Sequence, residues 1–133
     1  MRTENVEICI ISAELSSRSV QFNTRTTHNM ETILNDYGFS FTQVLGSYKG
    51  ATEQSFLVII HSDKDRAKLI DLAQDFNQES ILISRPDRSS YLYMIENGDK
   101  IELGELQEVE SVEGLDAFTI VTINDRETIW TCK

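Results

Sequence analysis

A tyrosine, a lysine and a carboxylate stand close together in Gly46-Ser47-Tyr48-Lys49-Gly50-Ala51-Thr52-Glu53, and this segment runs into the apolar stretch Phe56–Ile60. Tyr48 can stack on a flat ring or hydrogen-bond a ligand. Glu53 can grip hydroxyl or ammonium groups, or serve as a base. A side chain at the mouth of a strand is held by the sheet yet faces a cleft, so the glycine-bracketed segment reads as an active-site loop, with Tyr48 and Glu53 as its catalytic pair. Five other polar residues are candidates for substrate contact: Ser12 at the end of the first apolar run, Asn23 and Arg25 near a helix entry, and Gln78 and Arg85 flanking Ser80–Ser84. Each also has a local role open to it, as a strand terminator or a turn hydrogen bond. Trp130 reads as core.

No constellation for metal or nucleophilic catalysis accompanies them. His28 and His61 lack a second ligand at metal spacing, Cys9 and Cys132 neighbour no histidine, and neither a Walker loop nor GxSxG nor GxGxxG occurs. No metal or cofactor is expected, and His28 reads as a solvated residue.

The elements that must position these groups follow from periodicity. Val6–Ala13 starts as alternation and becomes continuously apolar, as a strand covered on both faces does. Met30, Ile33, Leu34 and Tyr37 mark one face of a helix ending at Gly38, with Asn23–His28 either its first turns or the loop before it. Phe39–Leu45 and Phe56–Ile60 read as antiparallel strands. Ser62 with Asp65 caps a second helix carrying Leu69, Ile70, Ala73 and Phe76. Ser80–Ser84 is a further strand, Asn97-Gly98 joins a hairpin, and Phe118–Ile123 with Thr128–Thr131 form a last β pair. The order β-α-β-β-α-β plus hairpins predicts a ferredoxin-like α+β domain, one antiparallel sheet with both helices on a single face and C-terminal β-hairpin extensions. The uncovered face then calls for those extensions or another subunit, in a symmetric ring with clefts at its boundaries.

A chain of 133 residues with 40% hydrophobic content fits one domain, residues 1–133, with a substantial core. No run approaches the roughly 18 apolar residues of a membrane span. No secretory leader is visible at Met1-Arg2-Thr3-Glu4-Asn5, and with two thiols the simplest setting is a reducing cytoplasm. The formal charge is −10, with its acidic excess concentrated between Glu96 and Glu127. Such a surface repels phosphate, so neither nucleic acid nor membrane is an expected partner. It suits attraction of a cationic ligand, mimicry of DNA charge, or solubility alone.

Several segments, taken in order, resemble the small phage-encoded enzymes that destroy S-adenosylmethionine, the S-adenosylmethionine lyases, formerly described as hydrolases. They are Ile11-Ser12-Ala13, Asn23–Met30, Gly46-Ser47-Tyr48 followed by an acid, Asn77–Ile83, Leu106–Val109, Phe118-Thr119-Ile120, and the late Arg126 and Trp130. The resemblance implies a homotrimer of ferredoxin-like subunits with substrate between neighbours, acting in the host cytoplasm against restriction. It implies that the substrate's own carboxylate displaces 5′-methylthioadenosine and leaves homoserine lactone. Two other functions fit the same scaffold and charge: a non-enzymatic DNA mimic that inhibits restriction, and a ring-forming small-ligand sensor of the nitrogen-regulator type.

Overall fold

The computed structural model describes residues 5–133; Met1–Glu4, where no leader is expected, lie outside the described residues. The elements are β1 (Glu7–Ser12), α1 (Val20–Asp36), β2 (Phe41–Tyr48), β3 (Ala51–Ile60), α2 (Asp63–Asp75), β4 (Ser80–Ser84), β5 (Ser89–Met94), β6 (Lys100–Val109), β7 (Ala117–Ile123) and β8 (Arg126–Cys132). Local signals account for their ends. Ser19 caps α1 by accepting from the Phe22 amide at 3.1 Å, and Gly38, at φ +77°, takes the left-handed turn that follows it. The residues 23–28 left open by periodicity are helical. Ser62 accepts from the Asp65 amide and starts α2. None of the helices is long and apolar enough to cross a membrane.

The ferredoxin-like expectation is overturned by the ends of the sheet. The β-α-β-β-α-β order is present from Glu7 to Ser84, but β2 and β4 are not edges. β4 pairs with β5, β5 with β6, β6 with β8, β8 with β7, and β7 returns to pair with β2. The result is a closed eight-stranded antiparallel barrel in the order β1-β3-β2-β7-β8-β6-β5-β4. An open sheet leaves two rows of unpaired N–H and C=O groups, and here the C-terminal strands, expected as extensions, satisfy both by joining them.

Closure gives every strand an inner and an outer face. On the outer face Cys9, Ile11, Phe56, Val58, Ile81 and Ile83 pack with Met30 and Leu34 of α1 and Leu69, Leu72 and Ala73 of α2. On the inner face Ile8, Val44, Leu57, Leu106 and Val121 form a second apolar cluster, with Ile10, Ile59 and Trp130 against it. The unbroken apolar run of β1 is thereby explained, since both of its faces are covered. Glu7 and Arg66 form a two-pronged ion pair, with Nε 2.6 Å from the carboxylate, that ties α2 to the start of β1.

Phe56 is fully buried and meets Phe41 edge to face, with ring centroids 5.7 Å apart and planes at 82°. Phe56→Ala is expected to lower unfolding free energy by about 3–5 kcal/mol in urea titrations. Val20→Ala, at a position 82% exposed, is expected to stay within about 0.5 kcal/mol of the parent. A loss at Phe56 no larger than that at Val20 would contradict this account of the core.

Candidate functional site

The segment read as a loop from Gly46 to Glu53 is a tight hairpin. β2 continues to Tyr48 and β3 begins at Ala51, leaving only Lys49 (φ 49°) and Gly50 (φ 84°) in the turn. Two successive left-handed residues make the turn whose twist matches antiparallel strands. The residues singled out for chemistry therefore project from a sheet, and their direction follows from register. Gly46 pairs with Glu53 and Tyr48 with Ala51, in phase with Val44 and Leu57 of the inner cluster. Tyr48 and Glu53 thus share the inner face as diagonal neighbours, about 7–8 Å apart at the backbone. Tyr48 is 54% exposed at the barrel mouth, with the Lys49 ammonium 5.2 Å from its ring centre.

Ser12 joins them. It pairs with Ser55, the next inner residue along β3 from Glu53, and is buried. Its hydroxyl donates to the Gln54 carbonyl at 2.8 Å and accepts from the Glu14 amide at 3.0 Å. By surface area Glu53 is an exposed residue, yet protein crowds its carboxyl enough to hold its pKa above the ordinary carboxylate value. Burial is the largest cause; a hydrogen bond with the Ser12 side chain opposes it, and the Glu14 carboxylate adds to it. The hydroxyl has one proton and two acceptors to serve, so it offsets only part of the cost of ionising Glu53.

Asn23 and Gln78 gather at the same end of β1 but hold the backbone. Asn23 accepts from the Leu15 amide at 2.9 Å and donates to the Leu15 carbonyl at 3.0 Å, while Gln78 donates to the Glu14 carbonyl at 3.0 Å. Thr26, which periodicity did not single out, donates to the Ala13 carbonyl at 2.9 Å. These side chains fix the strand-to-helix link carrying Glu14, whose carboxylate accepts from the Gln54 amide at 2.9 Å. Two candidates fall away from the group. Arg85 follows the end of β4 that pairs with Ile8, remote from Ser12, and is committed to Glu102 through two hydrogen bonds of 2.8 and 2.9 Å and to the face of Tyr91. Arg25 is exposed on α1, and its side chain enters no hydrogen bond or ion pair among the described residues.

The inner face encloses a cavity of about 440 Å³, in the range that holds small ligands, whose walls include Ile10, Leu57, Thr119, Val121, Trp130 and Glu108. Ile10 and Leu57 are the inner residues immediately before Ser12 and Ser55, and Thr119 pairs with Gly46. The cavity's polar lining, Glu108, Asn124, Arg126 and Thr128, lies toward the β7–β8 turn, and Ser12 and Glu53 stand beyond its walls on the same inner face. Glu108, Thr119 and Trp130 escaped the sequence reading as site residues. The in-out alternation of their strands is visible, but the inside exists only once β7 reaches β2. The cavity can take a small molecule with an apolar or flat part, and Glu53 beside Ser12 can meet a cationic or hydroxyl-bearing group.

No curated protein matches the chain. The model of the S-Adenosylmethionine lyase family matches residues 9–133. That span runs from Cys9 of β1 through every later strand and both helices, so it contains the Ser12–Glu53 end and the whole cavity wall. By this match the chain belongs to the S-adenosylmethionine lyase family.

Proposed function

We propose that this protein cleaves S-adenosylmethionine to 5′-methylthioadenosine and homoserine lactone, with Tyr48, Glu53 and Ser12 holding the substrate at the polar end of the barrel. The observation that carries the reaction is the family match over residues 9–133. In the step itself a carboxylate oxygen of the methionyl group forms a bond to its own γ-carbon while the carbon–sulfur bond breaks. The electron pair goes to sulfur, which leaves as a neutral thioether. No proton moves and no external nucleophile is needed, so the protein's task is to hold the methionyl chain folded. With reacting atoms about 3–3.5 Å apart, orientation can supply roughly 7–11 kcal/mol of the barrier.

The carboxylate and sulfonium charges cancel on the way to the transition state, so a site that excludes water favours the reaction. A carboxylate pressed against the sulfonium would instead stabilise the ground state. Glu53 is therefore assigned to the ribose hydroxyls or the α-amino group, and Tyr48 and Ser12 to contacts beside it. A second reading rests on the raised pKa of Glu53: a carboxyl of that kind suits a general base that would activate water and give homoserine directly. Mass spectrometry at early times separates the two by whether lactone or homoserine appears first. Assembly as a trimer in the host cytoplasm, with neighbours completing each site, belongs to the same proposal. It is supported by Tyr48 standing 54% exposed at the mouth.

Purified protein given S-adenosylmethionine is expected to release methylthioadenosine on chromatography, and no turnover by the intact protein would overturn the proposal. Glu53→Gln is expected to lower kcat/KM about 10–100-fold, the worth of a charge-assisted hydrogen bond. Wild-type kcat/KM is expected to fall on acidification through a pKa above 4.5, with that limb missing in Glu53→Gln. Stability moves the other way. A carboxyl with a raised folded-state pKa contributes most below its unfolded pKa and loses that contribution as pH rises through the folded value. Glu53→Gln is thus expected to raise Tm at pH 7, with the gain fading as pH falls below the ordinary value of 4.5. Light scattering is expected to give three copies per particle, and a fully active monomer would remove the assembly from the proposal.

A further inference from the structure

The ladder between β1 and β3 stops at Ser12 and Ser55, where the chain turns away into the link to α1. Continued in register it would bring Ala13 opposite Gln54, but the Ala13 carbonyl is taken by the Thr26 hydroxyl at 2.9 Å. Two side chains stand in for the missing backbone. The Glu14 carboxylate accepts from the Gln54 amide at 2.9 Å, and the Ser12 hydroxyl donates to the Gln54 carbonyl at 2.8 Å. From β2, the Gln43 side chain donates to the Gln54 side chain at 2.8 Å. Gln54 is thus held through both backbone groups and its side chain, and the residue before it in the strand is Glu53.

The Gln54 amide needs an acceptor at this point, but nothing in that bond needs a charge. A glutamine at position 14 could offer a carbonyl oxygen at the same reach. The position carries a carboxylate instead. Burial is the main reason Glu53 resists ionisation, and the Glu14 charge adds to it. The β2–β3 hairpin also carries Tyr48 and Lys49, whose ammonium lies over the Tyr48 ring, 5.2 Å from its centre. Among the described residues no Lys or Arg forms an ion pair with Glu14 or Glu53. Like charges set near each other cost stability, and such departures from the most stable arrangement concentrate at functional sites.

We propose that Glu14 is a positioning residue for Glu53: its carboxylate holds the adjoining stretch of β3 in place of a backbone partner, and its charge makes Glu53 a stronger acceptor for the substrate's ammonium or ribose hydroxyls. This rests on the S-adenosylmethionine reading and adds to it a residue that acts through Glu53. A carboxylate repelled by a second one gains more from a cation or donor that relieves the repulsion. Neither the ammonium nor the hydroxyls change charge as the carbon–sulfur bond breaks, so the gain is alike in ground and transition states. It belongs to KM and leaves kcat.

The test uses the intact protein. Glu14→Gln keeps an acceptor for the Gln54 amide and removes the charge, whereas Glu14→Ala removes both. Glu14→Gln is expected to raise KM for S-adenosylmethionine about 3–10-fold with kcat within about twofold of wild type. The acid limb of kcat/KM is expected to move to lower pH, because Glu53 ionises more readily once the neighbouring charge is gone. Glu14→Ala, shown folded by circular dichroism, is expected to lower kcat as well, since Glu53 is then less firmly placed. An acid limb unmoved in Glu14→Gln overturns the electrostatic role, and a folded Glu14→Ala with wild-type kinetics overturns the positioning. A further measurement needs no turnover. In urea titrations at pH 7 the double variant Glu14→Gln with Glu53→Gln is expected to be less stable than the two single effects sum to, because one repulsion can be removed only once. Strict additivity in a protein that cleaves S-adenosylmethionine overturns the proposal while the reaction stands. A wild type without turnover removes the reaction, and this role within it.

Discussion

Pairing of β7 with β2 is the constraint on which the rest of the molecule depends. Five residue pairs, from Val44 with Val121 to Tyr48 with Ala117, join the last part of the chain to a strand formed near its start. Before they form, the inner faces of β1, β2 and β3 are one side of an open sheet, and Ile8, Leu57 and Val44 face water. After they form, those residues meet Leu106, Val121 and Trp130 across an interior, and apolar area leaves solvent on both walls at once. An eight-stranded barrel is just wide enough to be filled by side chains or to hold one small ligand. Here the inward side chains of β1, β3, β6, β7 and β8 leave part of that width unfilled, so the same closure that completes the core creates the cavity.

Closure also sets the electrostatics. A carboxyl on an open strand would be fully hydrated, and Glu53 would titrate as any surface acid does. Instead burial and the neighbouring Glu14 disfavour its charged form, and the Ser12 hydroxyl, which also serves the Gln54 carbonyl, offsets only part of that. Among the described residues no Lys or Arg pairs with Glu53 in an ion pair. Arginine ion pairs elsewhere among the described residues join Arg66 to Glu7 and Asp63, and Arg85 to Glu102. A carboxyl with no cation beside it gains from a ligand that brings one, or that donates hydroxyl hydrogen bonds. The acidic character of the whole chain, −10 at neutral pH, acts in the same direction at longer range by raising the local concentration of cations.

What was legible in the sequence was what is local. The helix stripe through Met30 and Leu34, the Ser62 cap, the Asn97-Gly98 hairpin and the doubly covered β1 depend on spacings of a few residues, and they appear where periodicity puts them. The fold class depended on which strands meet last, a long-range property that alternation does not encode, so an open ferredoxin-like sheet and a closed barrel predict nearly the same pattern. The stretch around Lys49 misled for a related reason: Thr52, Glu53 and Gln54 are polar because they sit at a barrel mouth, and polarity there looks like a loop. Among the site candidates, Ser12 and Glu53 meet because register brings them together. Arg85 lies apart from them because being next to a strand says nothing about which end of the sheet that strand's terminus occupies. Asn23 and Gln78 are at the right end, but their polar atoms are taken by the backbone of Ala13–Leu15's link to α1.

The proposed reaction, whose nucleophile and leaving group lie in one molecule, would place unusual demands on a protein, and the barrel would meet them with few specialised groups. General acids, metals and activated serines lower barriers by supplying charge or protons; internal displacement at a sulfonium requires neither, because its charges annihilate as bonds change. What remains is restriction of conformation, and rigid surroundings achieve that better than mobile ones. Residues on paired strands are held from both sides by the sheet, whereas loop residues rely on their own few contacts, so Tyr48 and Glu53 within strands would suit such a reaction more than the loop the sequence seemed to offer. The polar braces at Asn23, Thr26 and Gln78 extend this logic to the one irregular segment near the site, converting a strand-to-helix link into a fixed support for Glu14 and, through the Gln54 amide, for the strand that carries Glu53. Under the proposed reaction the scarcity of recognisable catalytic motifs would follow from the chemistry: where geometry supplies the rate, the functional signature is register rather than a run of reactive residues.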